Sequence, residues 1–351
     1  MVKVPTSPED QHALGRGAVL PRDGQRDLLE RHRMRLTFEL ENRWYAEEGA
    51  LNAICQYALE PTGKMLRPML LIESAIAVGA QPADVLPAAV GAECGHVASL
   101  IHDDIIDNDD VRRGKPSVQR AYGVDAAIVA GDMLIFDLFA NLAECRWTGV
   151  PDSRIVTAMK AVAQAGIDLC QGQFLESQLC EAGDFDADAY LRMADLKTGA
   201  FFRAACEIGA ILGGGGDEFV GALSTYGKNL GSAFQIRDDL LPFTSDFRHT
   251  GKPDTSDVRN GRLILPAILA RRLGNARDRN LIEKSLSAGG DATQGLKTLK
   301  DVVERTGALT EAVEMARNRA RTALGALTVL PHSESRERLG YLADLAVERD
   351  R

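Results

Sequence analysis

The chain is expected to fold as an all-α helical bundle, and three observations carry that expectation. Alanine and leucine are abundant, aromatic residues make up 5% of the chain and β-branched runs are short, a balance that favours helices over sheets. From Asp27 onward, apolar residues recur every three or four positions almost to the end, the period of helices with one buried face. Two of these apolar stretches, more than 130 residues apart, run into paired aspartates and then into a Gly/Pro loop with cations. Facing helices of a bundle bring such ends together across a central cavity.

Size and composition narrow the function. For 351 residues length alone allows about two domains, but the continuous helical pattern favours one, spanning 27–351 behind a mobile tail at 1–26. The net charge of −9 lacks the basic footprint of a nucleic-acid binder. It also makes any phosphate chemistry depend on metal ions and local Lys or Arg. The cysteines Cys55, Cys94, Cys145, Cys170, Cys180 and Cys206 show no CxxC spacing and read as reduced core residues. No signal core opens the chain, and no apolar run reaches the roughly 18 residues of a membrane span. A soluble, cytoplasmic protein without a transmembrane segment is expected.

In chain order, the first 25 or so residues mix Pro, Gly, Ser and charge without periodicity, as a tail does. Leu28, Leu29, His32, Leu36 and Leu40 then begin an amphipathic stripe. Gly63-Lys64-Met65-Leu66-Arg67-Pro68 leads from a loop into a buried helix. It is not a P-loop, because the earlier glycine and the strand are missing. Lys64 and Arg67 are either surface cations, the reading favoured by these residues alone, or phosphate holders at a helix start.

The helix from Val85 to Asp107 carries unusually small residues at Gly91, Gly95 and Ser99, with Cys94 and Ala98 beside them. Interior glycines cost up to about 1 kcal/mol each, so they indicate either close helix packing or a groove left open. His96 reads equally as a core histidine and as a phosphate donor. At the helix end Asp103, Asp104 and Asp107 share nearly one face. Crowded carboxylates need a cation or a proton, and carboxylates together with substrate phosphates are the usual way of holding Mg²⁺. Arg112 and Arg113 follow, with guanidinium forks that match phosphate. A solvated helix end is the bland alternative; the second acidic end argues against it.

Gly131 opens another apolar helix through Leu142. Gln171-Gly172-Gln173 places polar groups in an apolar pattern, and Lys197-Thr198 reads as inward donors or, more commonly, a solvent-facing pair. Gly213-Gly214-Gly215-Gly216 is a helix connector. The second acidic end comes at Phe234-Gln235-Ile236-Arg237-Asp238-Asp239, followed by Asp246, Gly251-Lys252-Pro253 and Gly261-Arg262. Beyond Leu263 the chain is helical and carries no chemical signal, with core positions at Val302, Leu309, Val313, Ala316, Ala320, Leu324 and Leu327.

Taken in order, Gly63-Lys64-xx-Arg67-Pro68, His96, Asp103-Asp104-xx-Asp107 with Arg112-Arg113-Gly114, Lys197-Thr198, Phe234-Gln235 with Asp238-Asp239, and Gly251-Lys252-Pro253 resemble the trans-isoprenyl diphosphate synthases (polyprenyl synthetases). The resemblance covers nearly all of 27–351, and its length signals look geranylgeranyl diphosphate synthase-like. It implies the isoprenoid synthase fold, a bundle around a deep cavity, usually as a homodimer. It implies a transferase that condenses an allylic diphosphate with isopentenyl diphosphate. By this analogy Asp103, Asp107 and Asp238 bind two or three Mg²⁺ ions, supported by Asp104 and Asp239. Arg112, Lys197, Thr198, Gln235 and Lys252 hold the allylic diphosphate, and Lys64, Arg67, His96 and Arg113 hold isopentenyl diphosphate.

One position departs from the pattern. Pro242 stands where the family's second motif usually has a third aspartate, which removes a carboxylate and fixes the backbone. Family members limit product length with bulky side chains just before the first motif, whereas this chain has Ala98 and Ser99 there, above Gly95, Cys94 and Gly91. That predicts an open shaft on this helix and a geranylgeranyl (C20) or longer product, limited by another helix. A class I terpene cyclase or a prenyltransferase to a non-isoprenoid acceptor would not need Lys64, Arg67, His96 and Arg113. A non-catalytic partner subunit would not need an intact first motif.

Overall fold

The structure, a computed structural model, describes residues 23–45, 49–244, 255–287 and 290–347. The chain runs through α1 (Asp23–Tyr45), α2 (Ala50–Leu59), α3 (Leu66–Ala77) and α4 (Pro82–Asp107) into a two-stranded hairpin, β1 (Val111–Arg112) and β2 (Lys115–Pro116). It continues through α5 (Val118–Tyr122), α6 (Val124–Glu144), α7 (Asp152–Ala182), α8 (Ala187–Ala194), a π-helical turn at Asp195–Gly199 and α9 (Ala200–Gly213). Then come α10 (Asp217–Thr244), α11 (Ser256–Arg259), α12 (Leu265–Leu273), α13 (Ala276–Ser285), α14 (Ala292–Thr306), α15 (Ala308–Ala326) and α16 (Glu334–Val347). The all-α expectation holds. The tail expected at 1–26 falls mostly outside the described residues; α1 starts at Asp23, ahead of Asp27, because its first turn has no apolar residue to reveal a period.

Local chemistry sets the ends of α4. Pro82 occupies its first turn, and Asp84 accepts from the Gln81 backbone N–H at 2.9 Å, a reciprocal cap. Asn108 closes the helix in a left-handed conformation (φ 51°), which asparagine tolerates better than most residues. The basic stretch beyond it is a two-residue hairpin whose central residues, Arg113 (φ 52°) and Gly114 (φ 77°), both have positive φ. That turn matches the twist of its strands.

The buried apolar side chains form two clusters. One joins α1–α6, α9, α16 and the first part of α10; the other joins α8, α12–α15 and the second part of α10. α10 contributes Leu223, Tyr226 and Leu230 to the first and Ile236 and Leu240 to the second, while α7 passes Val162 and Ala165 to one and Leu179 to the other. The π turn lies at the same crossing, between Ala194 of one cluster and Ala200 of the other.

Close approaches at this crossing require glycine. A Cβ on Gly172 would lie 2.8 Å from the Lys197 Cα, and one on Gly231 would lie 2.7 Å from the Gly199 Cα. Gly213-Gly214-Gly215 connects α9 to α10 as expected, with Gly214 at φ 83° capping α9. The segment Val124–Thr148 is long and apolar enough to cross a membrane by length and composition, with 39% of its window buried. The sequence reading missed it because Asp132 and Asp137 interrupt the run. α6 packs lengthwise on α4 and leaves Val124, Ile128, Val129, Ile135 and Phe136 exposed.

Candidate active site

α4 and α10 deliver the two acidic ends, and each end has a buried, anchored aspartate. Asp104 is 2% exposed and takes Arg112 on its carboxylate, with Nε donating at 2.8 Å. Asp239 is likewise buried and accepts from the Tyr190 hydroxyl at 2.6 Å, from Gln235 Nε2 at 3.0 Å and from the Leu265 backbone N–H at 3.1 Å. Burial pushes its carboxyl up to about 7, against those donors. Both aspartates turn their carboxylates into the protein rather than toward solvent. Asp238, next in sequence to the buried Asp239, is exposed.

Between the two ends runs a chain of polar contacts. Burial raises the Asp103 carboxyl, Lys197 opposes that, and Asp107, Arg262 and Glu176 are its other charged neighbours. Lys197 donates to Glu176 Oε2 at 2.6 Å. Beside it Thr198 donates to Gln235 Oε1 at 2.6 Å, and Gln235 reaches Asp239. A second route crosses from the other side. Arg262 pairs with Asp107, Asn260 donates to the Asp107 carbonyl at 3.1 Å and Arg259 to Asp109 at 2.7 Å. Three residues beyond Arg262, the Leu265 N–H meets Asp239. Three residues span at most about 11 Å, so the two acidic ends share one wall.

Glu176, which sequence reasoning did not single out, and Arg262, quoted there only as part of the loop after the second acidic end, complete this network. Glu176 sits on α7, one turn after the Gln171-Gly172-Gln173 signal. Burial works against its ionisation, but Lys197 and Arg262 outweigh burial and hold its pKa below the usual carboxylate range. Arg262 is held protonated by Glu176, Asp107 and Asp257, against burial. Its preceding Gly261, at φ 63°, was the available sign of a tight turn presenting a cation. With Pro242 inside α10, no N–H at that position donates to the Asp238 carbonyl, yet the helix continues to Thr244.

A second basic group lies beside the hairpin. The Arg113 guanidinium donates to the Pro61 carbonyl at 2.8 Å. A Cβ on Gly63 would stand 2.8 Å from its Nη2, so Gly63 serves Arg113 and not a P-loop. Arg67 stacks over Phe202 at 4.6 Å, and Phe202 leans on Phe234. His96 is held far below its usual pKa by burial and by Arg67, Arg113 and Arg112, so it is neutral; its Nδ1 is buried without a hydrogen bond. A small recess beside Arg112 and Arg113 is lined by Tyr57, Val97, Ile101 and Lys115. Lys252 and Asp246 lie outside the described residues.

The shaft expectation needs correction at its lower end. Leu138 of α6 fills the place a Gly95 side chain would take, and a Gly91 Cβ would meet the Leu138 carbonyl at 2.9 Å and Asn141 Cβ at 3.0 Å. Cys94 is fully buried with Asp137 and Trp44 as neighbours. These small residues admit α6, not open space, because α6 crosses α4 too closely for side chains. Ala98 is also fully buried; Ser99 stays partly exposed, its hydroxyl donating to the His96 carbonyl at 2.7 Å.

The donor set matches what a hard divalent ion takes. The candidate ligands are all oxygens, and the Asp103 carboxyl is raised by burial and by the Asp107 and Glu176 charges, against Lys197 and Arg262. Among the described residues no three acidic, His or Cys side chains gather into a cage.

The sequence profile of the polyprenyl synthetase family matches residues 48–304. The chain is 35% identical to the short chain isoprenyl diphosphate synthase of Methanothermobacter thermautotrophicus, over 84% of this chain and 89% of that protein. It is 36% identical to the geranylfarnesyl diphosphate synthase of Aeropyrum pernix, over 85% and 94% respectively. Other relatives range from geranylgeranyl to octaprenyl diphosphate synthases. Among solved structures, the polyprenyl synthase from Caulobacter crescentus, complexed with calcium and isoprenyl diphosphate, superposes with a TM-score of 0.85 at 28% identity, covering 93% of this chain and 97% of that one.

Proposed function

Because the chain belongs to the polyprenyl synthetase family of prenyl diphosphate synthases, we propose that it condenses an allylic diphosphate with isopentenyl diphosphate into a trans-polyprenyl diphosphate of geranylgeranyl length or longer. The observation that carries this reading is the pair of polar bridges, through Lys197-Thr198 and through Arg262 to Leu265, that join the two acidic ends.

Asp103, Asp107 and Asp238 would hold two or three Mg²⁺ ions together with diphosphate oxygens, and the ions would neutralise charge on the leaving group. Lys197, Arg112, Arg262 and Lys252 hold that diphosphate as the allylic C–O bond breaks, with Thr198 and Gln235 fixing its orientation. Lys197 and Arg262 now pair with Glu176 and Asp107, and phosphate would take the place of those carboxylates on the two cations. Lys64, Arg67, Arg113 and neutral His96 hold isopentenyl diphosphate with its double bond toward the allylic carbon. The double bond attacks, a C–C bond forms, and the proton lost from the adduct passes to the departing diphosphate. Apolar walls around the cation keep water from quenching it.

Ala98 and Ser99 support elongation past farnesyl length, because neither blocks the helix next to the first motif. Introducing Ala98→Phe or Ser99→Phe is expected to shorten the product, read by mass spectrometry. A homodimer through α6 is supported by its exposed Ile128, Ile135 and Phe136. Incubation with Mg²⁺, isopentenyl diphosphate and labelled allylic diphosphates of several lengths tests the whole reading. Longer diphosphates, abolished by a chelator and restored by Mg²⁺, are expected. A hydrocarbon or alcohol would indicate a cyclase, and absence of turnover a non-catalytic subunit.

A further inference from the structure

One buried acid has no part in the chemistry above. Glu93 lies on α4, one turn before His96, with 2% of its surface exposed. Its Oε1 stands 3.8 Å from Arg113 Nη2, while Oε2 is buried without a hydrogen-bond partner. Its charged neighbours are Arg113 and Arg67, which oppose the burial that raises its pKa. A carboxylate left buried and short of hydrogen bonds is costly, so its retention beside two guanidinium groups calls for a reason.

Arg113 supplies that reason. Its backbone is left-handed, a conformation that costs a non-glycine residue about 1–3 kcal/mol and persists only where the surroundings enforce it. The hairpin turns Arg112 toward Asp104 and Arg113 the other way, over Gly63 and toward Pro61. Without Glu93, Arg113 would face Arg67 with only a carbonyl to hold it and would swing to solvent. We infer that Glu93 is a positioning residue that draws Arg113 inward and keeps it aimed at the diphosphate of isopentenyl diphosphate. Glu93 touches no substrate and acts only through the guanidinium. The inference rests on the assignment of Arg113 to that substrate.

Steady-state kinetics of Glu93→Gln, varying one substrate at saturating levels of the other, test it. The expected result is a KM for isopentenyl diphosphate raised about tenfold or more, with KM for the allylic diphosphate and kcat within about twofold. Glu93→Asp keeps the charge at a longer reach and should show a smaller rise in the same direction, which also serves if the glutamine variant does not fold. In an Arg113→Ala background the glutamine change should lose its effect, since coupled residues are not additive. An unchanged or lowered KM for isopentenyl diphosphate, an equal effect on both substrates, or full additivity with Arg113→Ala would overturn the inference. Failure of the wild-type protein to elongate any allylic diphosphate would instead overturn the proposed function, so the two failures are distinguishable.

Discussion

Glu176 shows how one carboxylate sets the state of two cations. It accepts from Lys197 at 2.6 Å and lies 3.9 Å from Arg262, so removing its charge frees Lys197 to turn to Asp103 and leaves Arg262 to Asp107 and Asp257 alone. Glu176→Gln is expected to lower kcat/KM for the allylic diphosphate by about 10- to 100-fold, the range seen when a partner behind a metal ligand is lost. KM for isopentenyl diphosphate should stay near its original value, because Glu176 meets Lys197, Gln173 and Arg262, residues assigned to the other diphosphate or to its wall; equal loss for both substrates would contradict the separation of the two groups. Glu176 was hard to find in the sequence because one glutamate on a helix surface looks like any other until the lysine 21 residues away is placed against it.

At the scale of whole elements, glycines decide how helices meet. Gly172 lets α7 touch the backbone of the π turn that carries Lys197 and Thr198, and π turns are common at functional sites. Gly172→Ala should push that turn outward and reduce turnover at least tenfold, while circular dichroism at ambient temperature stays helical. Gly95 does the same for α4 against α6, where Leu138 takes the vacated volume. Leu138 is therefore the element-level candidate for the floor of the product cavity. Leu138→Ala should lengthen the products seen by mass spectrometry and destabilise the fold by about 2–5 kcal/mol; a changed stability with an unchanged product ladder would move the floor elsewhere. The small-residue stripe was legible in the sequence, but its meaning was not, since periodicity shows which residues share a face and not what lies opposite.

For the molecule as a whole, a buried ion pair ties the last helix to the third. Arg338 Nε donates to Glu73 Oε2 at 2.9 Å, both groups are nearly inaccessible, and His32 of α1 approaches the same carboxylate at 4.0 Å. Removing Arg338 takes away both the charge and the hydrogen-bond donor that Glu73 has in the interior, so Arg338→Met is expected to cost about 1–3 kcal/mol in denaturant unfolding. Glu73→Leu/Arg338→Met should recover most of that loss. Burial raises the Glu73 pKa from 4.5 to about 7 even with Arg338 present. Its folded pKa exceeds its unfolded one, so its favourable contribution is complete below about 4.5 and fades as pH rises through 7. Glu73→Gln should flatten that part of the stability profile.

The sequence by itself determined the helical class, the two acidic ends and most of the cations that serve them, because each is written in spacing or residue type within a few turns of chain. Asp103 with Asp107, and Arg112 with Arg113, need no distant information to be noticed. Only the tertiary structure decided which cation meets which carboxylate: Arg112 on Asp104, Arg262 on Asp107, Arg113 near Glu93. It also decided that Gly95 receives Leu138 and that Gly172 receives the Lys197 backbone. Those outcomes depend on the rotation and separation of packed helices, which are settled by the summed burial of two side-chain clusters rather than by any local pattern.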